Sequence, residues 1–215
     1  MIAGALSELV AAAMAAVAVA APTAAEKPPV RWDPIPYGAQ RRSDMKAYSR
    51  RHYGIDSNRL GQTRVIVEHM TEGSSYSSAW EIFSRNVRDS ELGELPGVCT
   101  HFIVEKSGRI SQLVPLSLMC RHTVGLNYTS IGIEHVGFEE SGVMGNRRMR
   151  QASLRLTNWL RCRYDISLSN VIGHNESLRS PYHRERVARL RTQTHGDWPT
   201  AKMRPYRAAL RSLSC

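Results

Sequence analysis

The residues best placed to do chemistry in this 215-residue chain are histidines that follow short apolar runs. Val65-Ile66-Val67 leads to His69, and Val171-Ile172-Gly173 leads directly into His174. Runs of this kind read as buried strands, and a side chain at the end of such a strand emerges at a sheet edge, where active sites form. Neutral imidazole is a good zinc ligand, and a catalytic zinc takes three protein ligands with a fourth position kept open. Two histidines and one carboxylate satisfy that requirement. Among the eight histidines, His52 and His183 read instead as satisfied core or surface groups.

The elements that must position these groups follow from periodicity. Tyr76, Ala79, Trp80, Phe83 and Val87 recur at helical spacing. Thr100 to Val104 and Ile110 to Val114 flank a turn-rich Glu105-Lys106-Ser107-Gly108-Arg109 link, which predicts a β-hairpin. Ser130 to Val136 alternates as a strand, and Met149, Ala152, Leu156, Trp159 and Leu160 mark a long amphipathic helix. Ala201 to Leu213 predicts a closing helix in which Pro205 is tolerated only near the first turn. Strands interleaved with helices indicate an α/β fold with a central mixed β-sheet flanked by helices, in one domain over residues 63–215.

Ahead of that domain, residues 1–25 read as a signal peptide: Leu9 to Ala21 is wholly Ala, Val, Met and Leu, and Thr23-Ala24-Ala25 suits cleavage before Glu26. The opening residues lack the usual basic charge, and an uncleaved anchor is the rival reading. Export and a mature chain with no integral membrane segment are the expectation. Residues 26–62, with Pro28-Pro29 and Pro34-Ile35-Pro36 followed by Arg41-Arg42 and Arg50-Arg51-His52, read as an N-terminal extension: a linker and a short helical lead-in. Cys99, Cys120, Cys162 and Cys215 have no metal-ribbon spacing. In an oxidising compartment they allow up to two disulfides with the pairing open, and Cys162, within a helical pattern, reads equally as a buried free thiol. The net charge of +10 becomes +11 once a leader carrying only Glu8 is removed. Such a chain is drawn to polyanions, but its arginines lack the interleaved aromatics of a single-strand nucleic-acid platform.

Three segments in order carry a resemblance. Cys99-Thr-His-Phe-Ile-Val-Glu-Lys-Ser-Gly-Arg-Ile-Ser-Gln-Leu-Val-Pro115, Asn127-Tyr-Thr-Ser-Ile-Gly-Ile-Glu134 and Val171-Ile-Gly-His174 resemble the signatures of the zinc-dependent N-acetylmuramoyl-L-alanine amidase family, the type 2 amidases that include the peptidoglycan recognition proteins. The resemblance covers about residues 64 to 200. It implies a Zn2+ cofactor held by His69, His174 and Asp197, with His195 the rival for the third place. Here the family's usual Asp-Pro-Gly is replaced by Asp197-Trp198-Pro199.

The same resemblance implies Glu134 as general base, because Thr100 occupies the place where other members carry a tyrosine. It implies His195 as the group that steadies the oxyanion, and His101, His122 and Asn127 as residues lining the substrate groove. The expected partner is peptidoglycan or muropeptides, not nucleic acid, in a secreted or cell-wall setting. The expected reaction is hydrolysis of the amide between N-acetylmuramic acid and L-alanine. The alternative is a peptidoglycan-binding module that does not cut.

Overall fold

The computed structural model describes residues 25–215, so the expected leader, apart from its last residue, lies outside the described residues. A six-stranded sheet forms the centre. In chain order its strands are β1 (Arg31–Trp32), β2 (Val65–Met70), β3 (Phe102–Val104), β4 (Ile110–Gln112), β5 (Ser130–His135) and β6 (Val171–Gly173). Their spatial order is β1-β4-β3-β5-β2-β6. Only the β3–β4 hairpin is antiparallel; every other neighbour is parallel, so the sheet is mixed.

Every residue of β2 and of β5 is buried, which is what a strand covered on both faces needs and why Val65-Ile66-Val67 reads as a continuous apolar run. One face packs on α4 (Arg147–Arg163) and α5 (Thr200–Arg211), where Met149, Leu156 and Leu160 meet Phe102, Val104, Ile133, Met203, Tyr206 and Leu210. The other carries α2 (Tyr76–Ser84), whose Ala79 and Phe83 meet Ile103, Leu113 and Val136. Ser75 caps α2 by accepting from the Ser78 amide at 3.2 Å, and Asn146 caps α4 by accepting from Met149 at 3.1 Å. A short helix, α3 (Glu140–Gly145), precedes α4. Pro205 is the sixth residue of α5, beyond the first turn where it was expected, so it forgoes one intrahelical bond while Met203, Tyr206 and Leu210 keep the helix docked.

Where a linker and a short lead-in were expected, the chain builds an edge strand and a full helix. β1 pairs with β4, and α1 (Ala39–Tyr53) buries Met45, Tyr48 and Tyr53 in the main core. Arg41 of α1, 1% exposed, donates from Nη2 to the carbonyls of Phe83, Arg85, Gly97 and Val98, which fastens α1 to the segment after α2. Two disulfides resolve the open pairing: Cys99–Cys120 and Cys162–Cys215. Cys162 is therefore a crosslink from the end of α4 to the chain's last residue, not a free thiol.

Candidate metal centre and catalytic groove

The site lies at the carboxyl ends of the parallel strands, where open α/β sheets bind ligands. Register puts His69 of β2 directly beside Glu134 of β5, so the two side chains leave the same face of the sheet. Gly173 of β6 pairs with Glu68, which sets His174 one residue further on, level with His69. Glycine is required there: a Cβ on Gly173 would run into the carbonyl of Trp198. That contact is also what brings the Asp197 segment against β6.

Asp197 is held by backbone on both sides. Its Oδ2 accepts from the Met70 amide at 3.1 Å, and its carbonyl accepts from Asn175 at 2.9 Å. Thr194 donates to the His174 carbonyl at 2.9 Å and Asn175 Nδ2 donates to the His195 carbonyl at 3.1 Å, so the 194–197 segment is laced onto the turn after β6. The departure at Trp198 has a packing role. Its backbone is left-handed (φ 51°), its indole is fully buried, and its ring centroid lies 5.2 Å from those of His135 and Tyr206.

His69 Nδ1 lies 3.6 Å from Asp197 Oδ2, and His174 Nδ1 lies 3.4 Å from Asp197 Oδ1. Both separations are long for hydrogen bonds. They are near the roughly 3.3 Å that separates two ligand atoms on one tetrahedral ion, with a different carboxylate oxygen nearest each ring. One ligand atom from each of the three residues lies within 4.8 Å of the others. Charge fits as well. Burial acts to lower the His69 pKa, but Asp197, Glu134 and Glu68 together raise it, so this spot attracts positive charge. Burial lowers His174 to about 4 against the pull of Asp197, which keeps that ring neutral, the form that can ligate.

Glu134 stands in the same groove, 7% exposed, with Oε2 unpartnered. Burial pushes its carboxyl up to about 7, with His69 pulling down and Asp197 and Glu72 pushing up. The groove encloses about 270 Å³, and His69, Glu72, Arg121, Glu134, His195 and Asp197 are among its walls. His195 is not part of the three-residue group: its ring stacks on His174 at 4.7 Å, and its Nε2 reaches Glu91 at 3.1 Å.

The remaining expected residues divide. His122 lines the groove and supports His69. Its Nδ1 lies 3.0 Å from His69 Nε2 and its Nε2 3.3 Å from Ser130 Oγ, so His69 Nε2–H donates to His122, leaving His69 Nδ1 bare toward Asp197. Gly132 makes room for this ring, since a Cβ there would lie 2.8 Å from its Cγ. His101 and Asn127 do not face the groove. His101 is fully buried, with Nε2 donating to Leu118 at 3.1 Å and Nδ1 accepting from Gly132 at 3.1 Å. Asn127 is fully buried too, its Oδ1 accepting from the His122 and Thr123 amides at 2.9 and 2.7 Å. Both brace the chain that carries His122, and Asn127 Nδ2 also donates to the Tyr48 hydroxyl of α1 at 3.3 Å.

Sequence reasoning missed Glu72, Glu91 and Arg121, all of which line the groove. Each lies in a connecting segment, and the backbone at Glu72 is left-handed (φ 49°), which no periodicity reveals.

A family profile described as N-acetylmuramoyl-L-alanine amidase matches residues 59–197. The chain belongs to that family. LysC, an N-acetylmuramoyl-L-alanine amidase from Clostridium intestinale URNW, has a similar fold: TM-score 0.52 at 17% identity, over 86% of this chain and 99% of that one. AmiD from E. coli, solved with anhydro-N-acetylmuramic acid-L-Ala-D-gamma-Glu-L-Lys, is 24% identical over 57% of this chain and 54% of that chain, with TM-score 0.43. No curated protein sequence is significantly similar to the chain. Membership of the family makes this amidase a peptidoglycan hydrolase of the type that separates N-acetylmuramic acid from the stem peptide. Among its described residues no helix is long and apolar enough to cross a membrane.

Proposed function

We propose that this amidase is zinc-dependent and exported, with His69, His174 and Asp197 holding the ion and Glu134 serving as general base. The observation that carries the reading is the convergence of three ligand atoms within 4.8 Å beside a buried carboxylate whose Oε2 has no partner. When bound, zinc supplies Lewis acidity toward the scissile carbonyl and toward the attacking water. Glu134, raised to about 7 by burial, is basic enough at neutral pH to take the water's proton and acidic enough to return it to the leaving amine. His195, at the groove wall beside His174, donates a hydrogen bond to the carbonyl oxygen as negative charge develops. His122 fixes which nitrogen of His69 is bare. Because Glu134 and His69 project from paired strands, the base stays placed relative to the ligands without any loop closing.

The substrate supports export, as do the two disulfides, a bond type that persists in oxidising compartments. The test is muropeptide analysis and zinc content for wild type and Asp197→Ala. Wild type is expected to hold one zinc and release free stem peptide, while D197A loses both with its fold intact. Full cleavage by metal-free D197A would overturn the metal assignment; zinc without cleavage in wild type would favour a binding module.

A further inference from the structure

We propose that a second groove, on the opposite face of the sheet from the catalytic one, binds a base-free, phosphate-bearing polyanion, an acidic polymer of the cell wall. The choice of a wall polymer rests on the peptidoglycan-hydrolase reading. The groove runs between residues 28–31, the hairpin turn at 107–110 and the exposed side of α4, and encloses about 680 Å³. A further cavity of about 770 Å³ continues it along Lys27, Pro28, Pro29, Arg155 and Asn158. Phe102, Val104 and Ile133 face α4, whereas His69 and Glu134 alternate to the other side, so this groove shares no wall with the metal centre.

Its chemistry is one-sided. Arg31, Arg109, Arg148 and Arg155 line it from three different segments, and Glu26 is the sole acid lining either cavity among the described residues. Arg31 pairs with Asp33 at 3.0 Å and Arg109 with Glu105 at 3.7 Å. Arg148 and Arg155 form no ion pair with any described residue, and both are exposed. Seven residues apart on one helix, they stand two turns and about 10 Å apart on the same side. Guanidinium groups on facing walls suit phosphates threaded between them, because each fork can hold two phosphate oxygens. The concave shape favours a chain over a flat membrane. The rest of the lining is Pro28, Pro29, Val30, Ser107, Gly108, Ile110, Gln151 and Ala152, without an aromatic ring for bases to stack on, so nucleic acid gains nothing beyond its phosphates.

The expected consequence is retention on walls that carry such polymers, with no effect on small soluble substrates. The test compares the full chain with Arg148→Glu/Arg155→Glu. Binding of labelled poly(glycerol phosphate) and of oligothymidylate with equal phosphate number is read by anisotropy across a salt series, beside hydrolysis of a soluble muropeptide. Wild type is expected to bind poly(glycerol phosphate) at least as tightly as oligothymidylate. The double variant is expected to bind about ten-fold or more weakly, with a salt slope shallower by about 0.7 per lost contact, and to hydrolyse the muropeptide as wild type does. Equal binding by variant and wild type, no binding by wild type, or tighter binding of oligothymidylate would each overturn the proposal. If the charge reversal lowers the thermal transition, R148Q/R155Q carries the same comparison with a smaller loss. Failure of wild type to cut the muropeptide would count against the hydrolase reading and leave the binding result standing.

Discussion

Two of the clusters that set buried histidine against carboxylate in this molecule use the pairing in opposite ways. At the candidate metal centre, Glu134 Oε2 is buried without a hydrogen-bond partner, and the nearest contacts among His69, His174 and Asp197 are too long to be good hydrogen bonds. Beneath α1, His52 is fully buried and donates from Nδ1 to Glu185 at 2.8 Å and from Nε2 to Glu94 at 2.7 Å. There nothing on the acids is left over: Glu94 also accepts from Arg51 at 2.7 Å and Arg189 at 3.1 Å, and Glu185 from the Val187 amide at 2.7 Å. A buried polar atom without a partner costs about 1–3 kcal/mol, a cost that a ligand bound in the groove would relieve. The second is complete and ties α1, the segment before Cys99 and the 185–189 turn together. Burial and charge are alike in both; the difference between these two is that Glu134 keeps an oxygen without a partner at the groove, while the acids beside His52 have none to spare.

The comparison breaks if the two clusters respond alike to substitution. Glu134→Gln is expected to lower kcat by about 10²–10⁴-fold, the usual contribution of a general base, while zinc content and thermal stability hold. Metal analysis beside a rate assay checks this, and a variant that keeps its rate would rule Glu134 out as the base. His52→Ala should do the reverse. It leaves two facing buried carboxylates, at a cost of about 3–5 kcal/mol, and lowers Tm on the order of 10 °C while the folded fraction keeps its kcat. His122→Ala falls between the clusters in size. It removes the acceptor that fixes the His69 tautomer and should weaken zinc retention about 10–100-fold against a chelator, with little change in Tm.

How much of this was legible in the sequence follows the same division. The strands ending near His69, Glu134 and His174 announced themselves by β-branched and alternating runs, because burial on both faces leaves the chain few other residue types. Asp197 rested on family pattern alone. What places it is a set of long-range contacts, Met70 to Asp197 and Gly173 against Trp198, that no spacing encodes. His101 and Asn127 were misplaced for a related reason. Their motif positions are real, but fully satisfied side chains at 0% exposure act on the backbone behind the groove and not on a substrate. His52 read correctly as a satisfied histidine, yet its partners lie 42 and 133 residues away, so its bracing role was invisible. The same distance effect disguised residues 26–62, whose prolines and arginines suggest a linker until Arg41 is seen capping four carbonyls from the 83–98 segment.

The smallest expected effect is also the most diagnostic of the brace. Burial acts to raise the Glu94 pKa, but the bonds from His52 and Arg51 outweigh it and hold the carboxyl down at about 2. A depressed acid contributes stability that is full above its unfolded value and is lost as pH falls from about 4.5 toward 2. For His52 burial acts to lower the pKa, and Glu185 and Glu94 together raise it above 6.5. A raised histidine contributes stability that is full below 6.5 and fades as pH climbs through the folded value. The two windows overlap only in weak acid. The Tm gap between wild type and His52→Gln, which keeps hydrogen-bonding capacity but cannot carry the charge, should therefore be widest between about pH 5 and 6 and narrow on both sides. A gap independent of pH would mean that His52 serves by shape and hydrogen bonding alone, and the contrast with the metal centre would then rest on partner count without charge.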